Sequence, residues 1–509
     1  MSVIAWSWIL MVIFIGLMLY LGYAGMKMTK NADDFATARS SYGPIALGLA
    51  VCATTASGST FMGIPGTAYT SGFPSLWYPL IYPIGIYGGM LLTAKMVKQM
   101  GDKFSNRTIP EIVGERFNSE FLRVGLALLS LLLIFYIVSQ LVAAALMFQT
   151  MMGLSYEAGL WLTAIVLGIY LVLGGSHSDI LTDAVQGFLM LIIAVIVTVM
   201  FFTGFGVDGG VSAINDAITA KNPQGGWDTL FIKGDPTYGS AWLIFLLLIA
   251  HIPFGVLPHI GNKFFALKNG KQMKIFLSFC IVGGALMPMM ALGGLLGAAV
   301  IPGTLESADA VIPALFIEVF PPFAAALMAV VVLSAILSTG DGLVVSFSQI
   351  FANDLYRKTF AKNNPDQEKV ERNSLIIGRV AVVACLLLGI LLAYNPPKSL
   401  AMFLWIGVGG MVSGLAGPLA IGALWKRANK QGAIASFCVG VISYAVLYMG
   451  WLPGIEAITN PFAASGYSIL VASTVMVVVT LLTKPMSQEF IDHIYGAEVI
   501  VPESKTVSQ

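Results

Sequence analysis

Apolar residues run through this chain in long uninterrupted blocks, not in the half-buried stripes of a soluble protein. A helix needs roughly 20 mostly apolar residues to cross the hydrocarbon of a bilayer, and blocks of that kind recur about thirteen times. They centre near residues 14, 57, 83, 136, 165, 194, 247, 288, 330, 384, 412, 441 and 474. The first block, about Val3 to Met26, has no basic residue before it and exceeds the ~7–15-residue apolar region of a leader peptide. Its first cations, Lys27 and Lys30, come after it. The pattern predicts an all-α membrane protein whose first helix has its N-terminus outside.

The polar connections between blocks carry a second, independent signal. Cytoplasmic connections are enriched in Lys and Arg, and five of the six odd connections here are basic. The first holds Lys27, Lys30 and Arg39, and the third holds Lys95, Lys98, Lys103, Arg107, Arg116 and Arg123. Lys263, Lys268, Lys271 and Lys274 follow, then Arg357, Lys358, Lys362, Lys369 and Arg372, then Lys426, Arg427 and Lys430. The even connections hold little beyond Lys221, Lys233 and Lys398. One missed or spurious helix would scramble this alternation. An odd count of spans places the C-terminus inside. Residues 1–485 read as one polytopic domain, with its central spans at about 43–425, and residues 486–509 as a polar cytoplasmic tail, partly disordered. All these cations are assigned to connections, so no basic residue is expected at membrane depth.

Composition sharpens this picture only slightly. The 509 residues are 57% hydrophobic and 10% charged, against roughly 25% charged in soluble proteins, so lipid must solvate most of the surface. Mean hydropathy is +0.85. A net charge of +1 excludes the broad basic surface that nucleic acid requires. Cys52, Cys280, Cys385 and Cys438 lie inside apolar runs with no metal or redox spacing and read as packing residues. No phosphate loop, zinc spacing or nucleophile motif marks the chain as an enzyme.

Backbone in hydrocarbon must be hydrogen-bonded internally, so polar or irregular segments at membrane depth mark cavities. The second span is the clearest. Between Ala50 and Gly66 it carries Thr54, Thr55, Ser57, Ser59 and Thr60 together with Gly58, Gly63 and Pro65. Close packing explains small residues but not two glycines and a proline in one span, which predict a broken helix. In the ninth span, Ser334, Ser338 and Asp341 share one helical face. At the start of the sixth comes Thr182-Asp183-Ala184-Val185-Gln186. Intramembrane carboxylates default to functional roles. An unwound helix, hydroxyls and a carboxylate are hard oxygen donors and suit a small hard cation. Zinc or copper would want His or Cys clusters; His177, His251 and His259 are too scattered to form one.

At these residues the chain resembles the sodium/solute symporter family, whose members share a leucine-transporter-like fold of two inverted five-helix repeats. The pieces that carry the resemblance are Phe61-Met62-Gly63-Ile64-Pro65-Gly66, Gly174-Gly175 followed by Thr182-Asp183-Ala184-Val185-Gln186, and Ala335-Ile336-Leu337-Ser338-Thr339. It implies a multi-pass protein of the cell membrane that uses Na+ as coupling ion and works as a monomer. It assigns sodium to Ala53, Ala56, Ala335, Ser338 and Thr339. Asp183 matches an aspartate near which some members hold a second sodium. Where those members place serines, this chain has Asp341 and Gly342, so Asp183 and Asp341 together hold a second cation or share a proton.

Proline-transporting members carry an aspartate where this chain has Thr55. Gly255-Val256-Leu257-Pro258-His259, Ala310-Val311-Ile312-Pro313, Pro321-Pro322-Phe323-Ala324-Ala325 and Asn395-Pro396-Pro397 are instead similar to the pantothenate permease branch. The expected activity is sodium-coupled import of a small organic solute, with pantothenate or a similar monocarboxylate first. Another solute, a proton-coupled carrier and a membrane sensor remain the alternatives. Thr55, Ser57, Thr60, Tyr136 and Gln140 are the expected solute contacts, with Trp77, Tyr78 and Tyr82 as walls.

Overall fold

The structure, a computed structural model, describes residues 1–395, 399–452, 454 and 458–496. Pro396, Pro397 and Lys398, and the tail beyond residue 496, lie outside these. Among the described residues the fold is helical, with one isolated bridge between Tyr42 and Leu267.

Ten helices are long and apolar enough to cross a membrane, and two bent pairs, Pro44–Thr55 with Ser59–Ser71 and Ala241–Val256 with Pro258–Ala266, add two more. The longest helix, Tyr156–Thr203, has 48 residues and turns at Gly175, where φ is 52° and ψ −132°. At 1.5 Å per residue it far exceeds one bilayer, so it is two spans, the fifth and sixth, joined at Gly175. With that division the described residues hold the thirteen crossings that the apolar blocks predict. A Cβ at Gly175 would lie 2.4 Å from the Phe35 carbonyl oxygen, so glycine both permits the turn and admits the neighbouring backbone.

The spans are not equivalent. The most apolar stretch of the first, Val3–Met28, is 22% buried, whereas those of the ninth, Pro322–Phe360, and the eleventh, Leu400–Leu424, are 83% buried. Peripheral helices turn Leu80, Ile84, Ile165, Ile169, Phe188, Val199 and Phe202 outward, where lipid and not water is the matching solvent. The first half of the second span packs among the sixth, eighth and ninth. The twelfth and thirteenth, Lys430–Tyr448 and Pro461–Leu482, pair with each other and lean on the eleventh.

The described part of the tail is ordered. Gln488–Tyr495 forms a helix capped by Ser487, and Arg116 Nε donates to the Tyr495 hydroxyl at 2.7 Å. The tail's apolar residues Phe490 and Ile494 lie on one helical face and pack against the core.

Candidate functional site

The second span breaks where its sequence is most polar. Helix Pro44–Thr55 ends at Ala56, whose ψ of 82° leaves the helical region, and a π-helical turn restarts at Ser59; the two halves meet at 60°. The break frees carbonyls that the ladder would have used. Hydroxyls of the unbroken ninth span meet them. Ser338 Oγ lies 3.0 Å from the carbonyl oxygens of both Ala53 and Ala335, and Thr339 Oγ1 lies 3.1 Å from that of Thr54 and 3.5 Å from that of Ala53. Ala53, Ala335, Ser338 and Thr339 are buried and meet along one seam, and Ala56, also buried, ends the first half-helix beside it. The seam's oxygens are neutral and hard, a donor set that suits a monovalent hard cation.

On the other side of the break, Gln140 Oε1 accepts the Gly58 N–H at 2.8 Å, and Gln140 Nε2 donates to Ser139 Oγ at 2.9 Å. A Cβ on Gly58 would come within 2.9 Å of Gln140 Oε1 and of Ile336. Gln140 thus caps the second half-helix. Thr55 Oγ1 donates to the Cys52 carbonyl at 2.9 Å and lies 2.9 Å from the Tyr87 hydroxyl. The Tyr82 hydroxyl donates to the Thr55 carbonyl and faces Thr60; that of Tyr136 faces Ser57.

An aromatic wall continues from these residues. His251 and Trp405 have ring centroids 4.8 Å apart, Trp405 and Phe462 4.7 Å, Tyr78 and His251 5.2 Å, and Tyr136 and His259 5.5 Å. Tyr78 and Tyr82 belong to this wall. Trp77 does not: it stacks on Phe231 and donates to the Leu230 carbonyl in a loop. Trp405, His251, Phe254, Phe462 and Tyr87 complete the wall and were not foreseen, because aromatic residues in apolar spans carry no sequence mark of which way they face. His259 lies here too, and both its ring nitrogens are buried without a hydrogen-bond partner.

The carboxylates form a separate cluster. Asp183 lies mid-helix and fully buried, not at an exposed helix start. Its Oδ2 accepts from Thr54 Oγ1 at 2.7 Å. Asp341 accepts from the Tyr170 hydroxyl through Oδ1, and its Oδ2 lies 3.2 Å from Thr182 Oγ1. One oxygen each of Asp179, Asp183 and Asp341 lie within 4.8 Å of one another.

The expectation that no basic residue reaches membrane depth fails here. Lys263 is 4% exposed, and its ammonium lies 2.8 Å from Asp179 Oδ2 and 2.5 Å from Asp183 Oδ2. Lys263 sits on the second half of the broken seventh span, Pro258–Ala266; with that half bent back into the protein, a lysine that reads as a loop cation points into the bundle. Asp179, four residues before Asp183 and so on the same helical face, was the one legible hint of the cluster.

Charged and polar contacts anchor both broken spans from outside. At the basic end, Ile109 N–H donates to Asn262 Oδ1 at 3.2 Å. The short helix Ile109–Arg116 carries Glu111, paired with Lys358 at 3.0 Å. Burial works against the Glu111 charge, but Lys358, the Arg107 amide and Arg357 outweigh it and hold its carboxyl below the ordinary value. Burial likewise opposes charge on Asp33, and Arg39, joined by Arg107, keeps it below the ordinary value. At the opposite end, Asp309 accepts the Leu400 N–H at 3.1 Å, and a Cβ on Gly66, in the second half of the second span, would fall 2.7 Å from Asp309 Oδ1. Burial pushes the Asp309 carboxyl up to about 6, with the Leu400 hydrogen bond opposing.

A bundle of helices with two spans broken part-way along their length, hydroxyls facing freed carbonyls and a buried aromatic wall is the architecture of a secondary transporter. The profile of the sodium:solute symporter family matches residues 35–440, and the chain belongs to that family. It is a multi-pass membrane symporter with sodium as coupling ion. A sodium/pantothenate symporter of Haemophilus influenzae is 31% identical over 442 residues, covering 84% of this chain and 86% of that one. The sodium/pantothenate symporter of Escherichia coli is 29% identical, covering 85% and 89%. The osmoregulated proline transporter OpuE of Bacillus subtilis is 28% identical, covering 84% and 86%. A solved structure of a Na+-coupled sialic acid symporter, 22% identical, superposes with a TM-score of 0.75 over 95% of this chain and 99% of that one, which fixes the leucine-transporter-like fold.

Proposed function

We propose that this chain imports a small organic carboxylate, pantothenate or a close relative of it, in symport with sodium by alternating access, with its N-terminus outside and its C-terminus inside. The observation that carries this reading is the neutral oxygen seam at the second span's break. Sodium there is held by the carbonyls of Ala53, Ala56 and Ala335 and the hydroxyls of Ser338 and Thr339. It fixes the second span against the ninth and so favours the conformation that accepts solute. Coupling requires that each ligand strengthen the other's binding.

The solute lies beside the break, against Thr55, Ser57, Thr60 and Tyr136, with Tyr78, Tyr82, His251 and Trp405 as its apolar wall. Gln140 acts by holding the break open at Gly58, which leaves hydroxyls and the remaining half-helix amides to receive a carboxylate. The names of the two relatives at 31% and 29% identity support pantothenate. Thr55, at the position where proline transporters carry an aspartate, argues against proline.

The test is uptake of labelled pantothenate into proteoliposomes under an inward sodium gradient, with potassium as control. Accumulation that requires sodium is the expected result. A sodium-dependent change in tryptophan fluorescence without uptake would keep symport and discard pantothenate. Silence in both measurements would overturn the reading in favour of proton coupling or sensing.

A further inference from the structure

Burying three carboxylates within one another's reach is unfavourable unless positive charge lies among them, because each is stripped of water and repels the others. The structure supplies that charge from the protein itself. Lys263 reaches Oδ2 of both Asp179 and Asp183, while Oδ1 of each remains buried and unpartnered. The lysine stem has its own passage. A Cβ on Gly342, one residue after Asp341, would sit 3.1 Å from Thr54 Cγ2 and 3.5 Å from Lys263 Cε. The small residue at 342 thus borders the space that the Lys263 stem occupies. A small cavity, its lining mixing Thr37, Ser176 and Asp179 with Ala36, Ile180 and Val345, adjoins Lys263, with room for about one water.

We infer that Lys263 is a tethered cation: its ammonium fills the place among Asp179, Asp183 and Asp341 that would otherwise take a mobile monovalent cation, so each cycle uses a single sodium ion, the one at the second span's break. This rests on the sodium-symport reading. Ammonium and sodium carry the same charge and take the same oxygen ligands, but the ammonium cannot leave the protein. It can only move with the half-helix that bears it. Because Lys263 lies on the second half of the seventh span, the cluster holds its cation when that half is seated and loses it when the half swings away. A bound second sodium would leave a cation in the cluster in either position.

The experiment counts sodium ions bound to the purified full-length protein, using radiolabelled sodium in a scintillation proximity assay at fixed pH with choline as the balancing salt. The wild-type chain is expected to bind one ion. Lys263→Ala, with the ammonium removed and the carboxylates kept, is expected to bind two, with a sigmoidal isotherm. Lys263→Arg, which keeps the charge, should bind one. The double variant Lys263→Ala with Gly342→Ser, which places a hydroxyl where the stem had run, should bind the second ion more tightly than Lys263→Ala alone. Two ions on the wild type, or one on a folded Lys263→Ala, would overturn the inference. If Lys263→Ala does not fold, the wild-type count still decides. No sodium on the wild type would instead overturn the symport reading, and the inference with it.

Discussion

The second and seventh spans both break inside the membrane, and the two breaks meet positive charge in opposite ways. The second opens among carbonyls and hydroxyls, none of them charged, with Ser338 and Thr339 of the ninth span closing the seam. The seventh carries a lysine on its second half and presents it to Asp179 and Asp183. Neutral oxygens tolerate the loss of their ion, because no net charge is stranded when it leaves. A buried pair of carboxylates does not, since losing its cation leaves uncompensated charge in a low-dielectric interior. The contrast separates a place suited to an ion that comes and goes from one suited to a charge that stays.

The sharpest way to break this contrast is to damage each seam in turn. Lys263→Ala leaves Asp179 and Asp183 without their cation and, in sodium-free buffer, is expected to cost about 3–5 kcal/mol, the usual penalty for breaking a buried ion pair. It should show as a large fall in the melting temperature of detergent-purified protein. Ser338→Ala, which removes one neutral hydroxyl, should cost only about 1 kcal/mol. Equal losses would mean that the two seams are not different in kind.

Next in size is the Asp309 anchor of the second span. The carboxyl of Asp309 titrates at about 6, above its ordinary value, so the folded state prefers it protonated. Its stabilising preference is full at low pH, declines as pH rises from about 4 to 6, and is absent above that. Asp309→Asn keeps an acceptor for the Leu400 N–H without the charge. It should therefore stabilise the protein at pH 7 by about 1–3 kcal/mol, with no gain below about pH 4. A variant no more stable than wild type at pH 7 would show that this anchor is not charge-strained.

Thr339→Ala should raise the sodium concentration for half-maximal uptake about tenfold, equivalent to about 1.4 kcal/mol, while leaving membrane insertion intact. Unchanged sodium activation would sink the assignment of the neutral seam.

The smallest effect lies at the basic end, where Asp33 and Glu111 are held below their ordinary values. Their contribution is complete above the ordinary carboxylate range and is lost as pH falls through the lowered values, in a window below about pH 4. Asp33 is partly exposed, so Asp33→Asn should remove only about 0.5–1 kcal/mol of it, read as a shallower acid limb of the stability curve.

The amino-acid sequence by itself determined the crossings, the basic and non-basic faces, the break in the second span and the hydroxyl pair of the ninth. Each follows from a local rule: hydrocarbon excludes unpaired backbone and charge, so apolar length, glycine, proline and stray hydroxyls are legible one segment at a time. Only the tertiary structure decided that Gln140 caps the break, that Trp405 and His251 wall it while Trp77 does not, and that Lys263 is a partner of Asp183 80 residues away. Those facts depend on which faces of separate spans meet. In membrane helices that are apolar on nearly every side, hydrophobic periodicity does not say which face turns inward; packing against the neighbouring spans does.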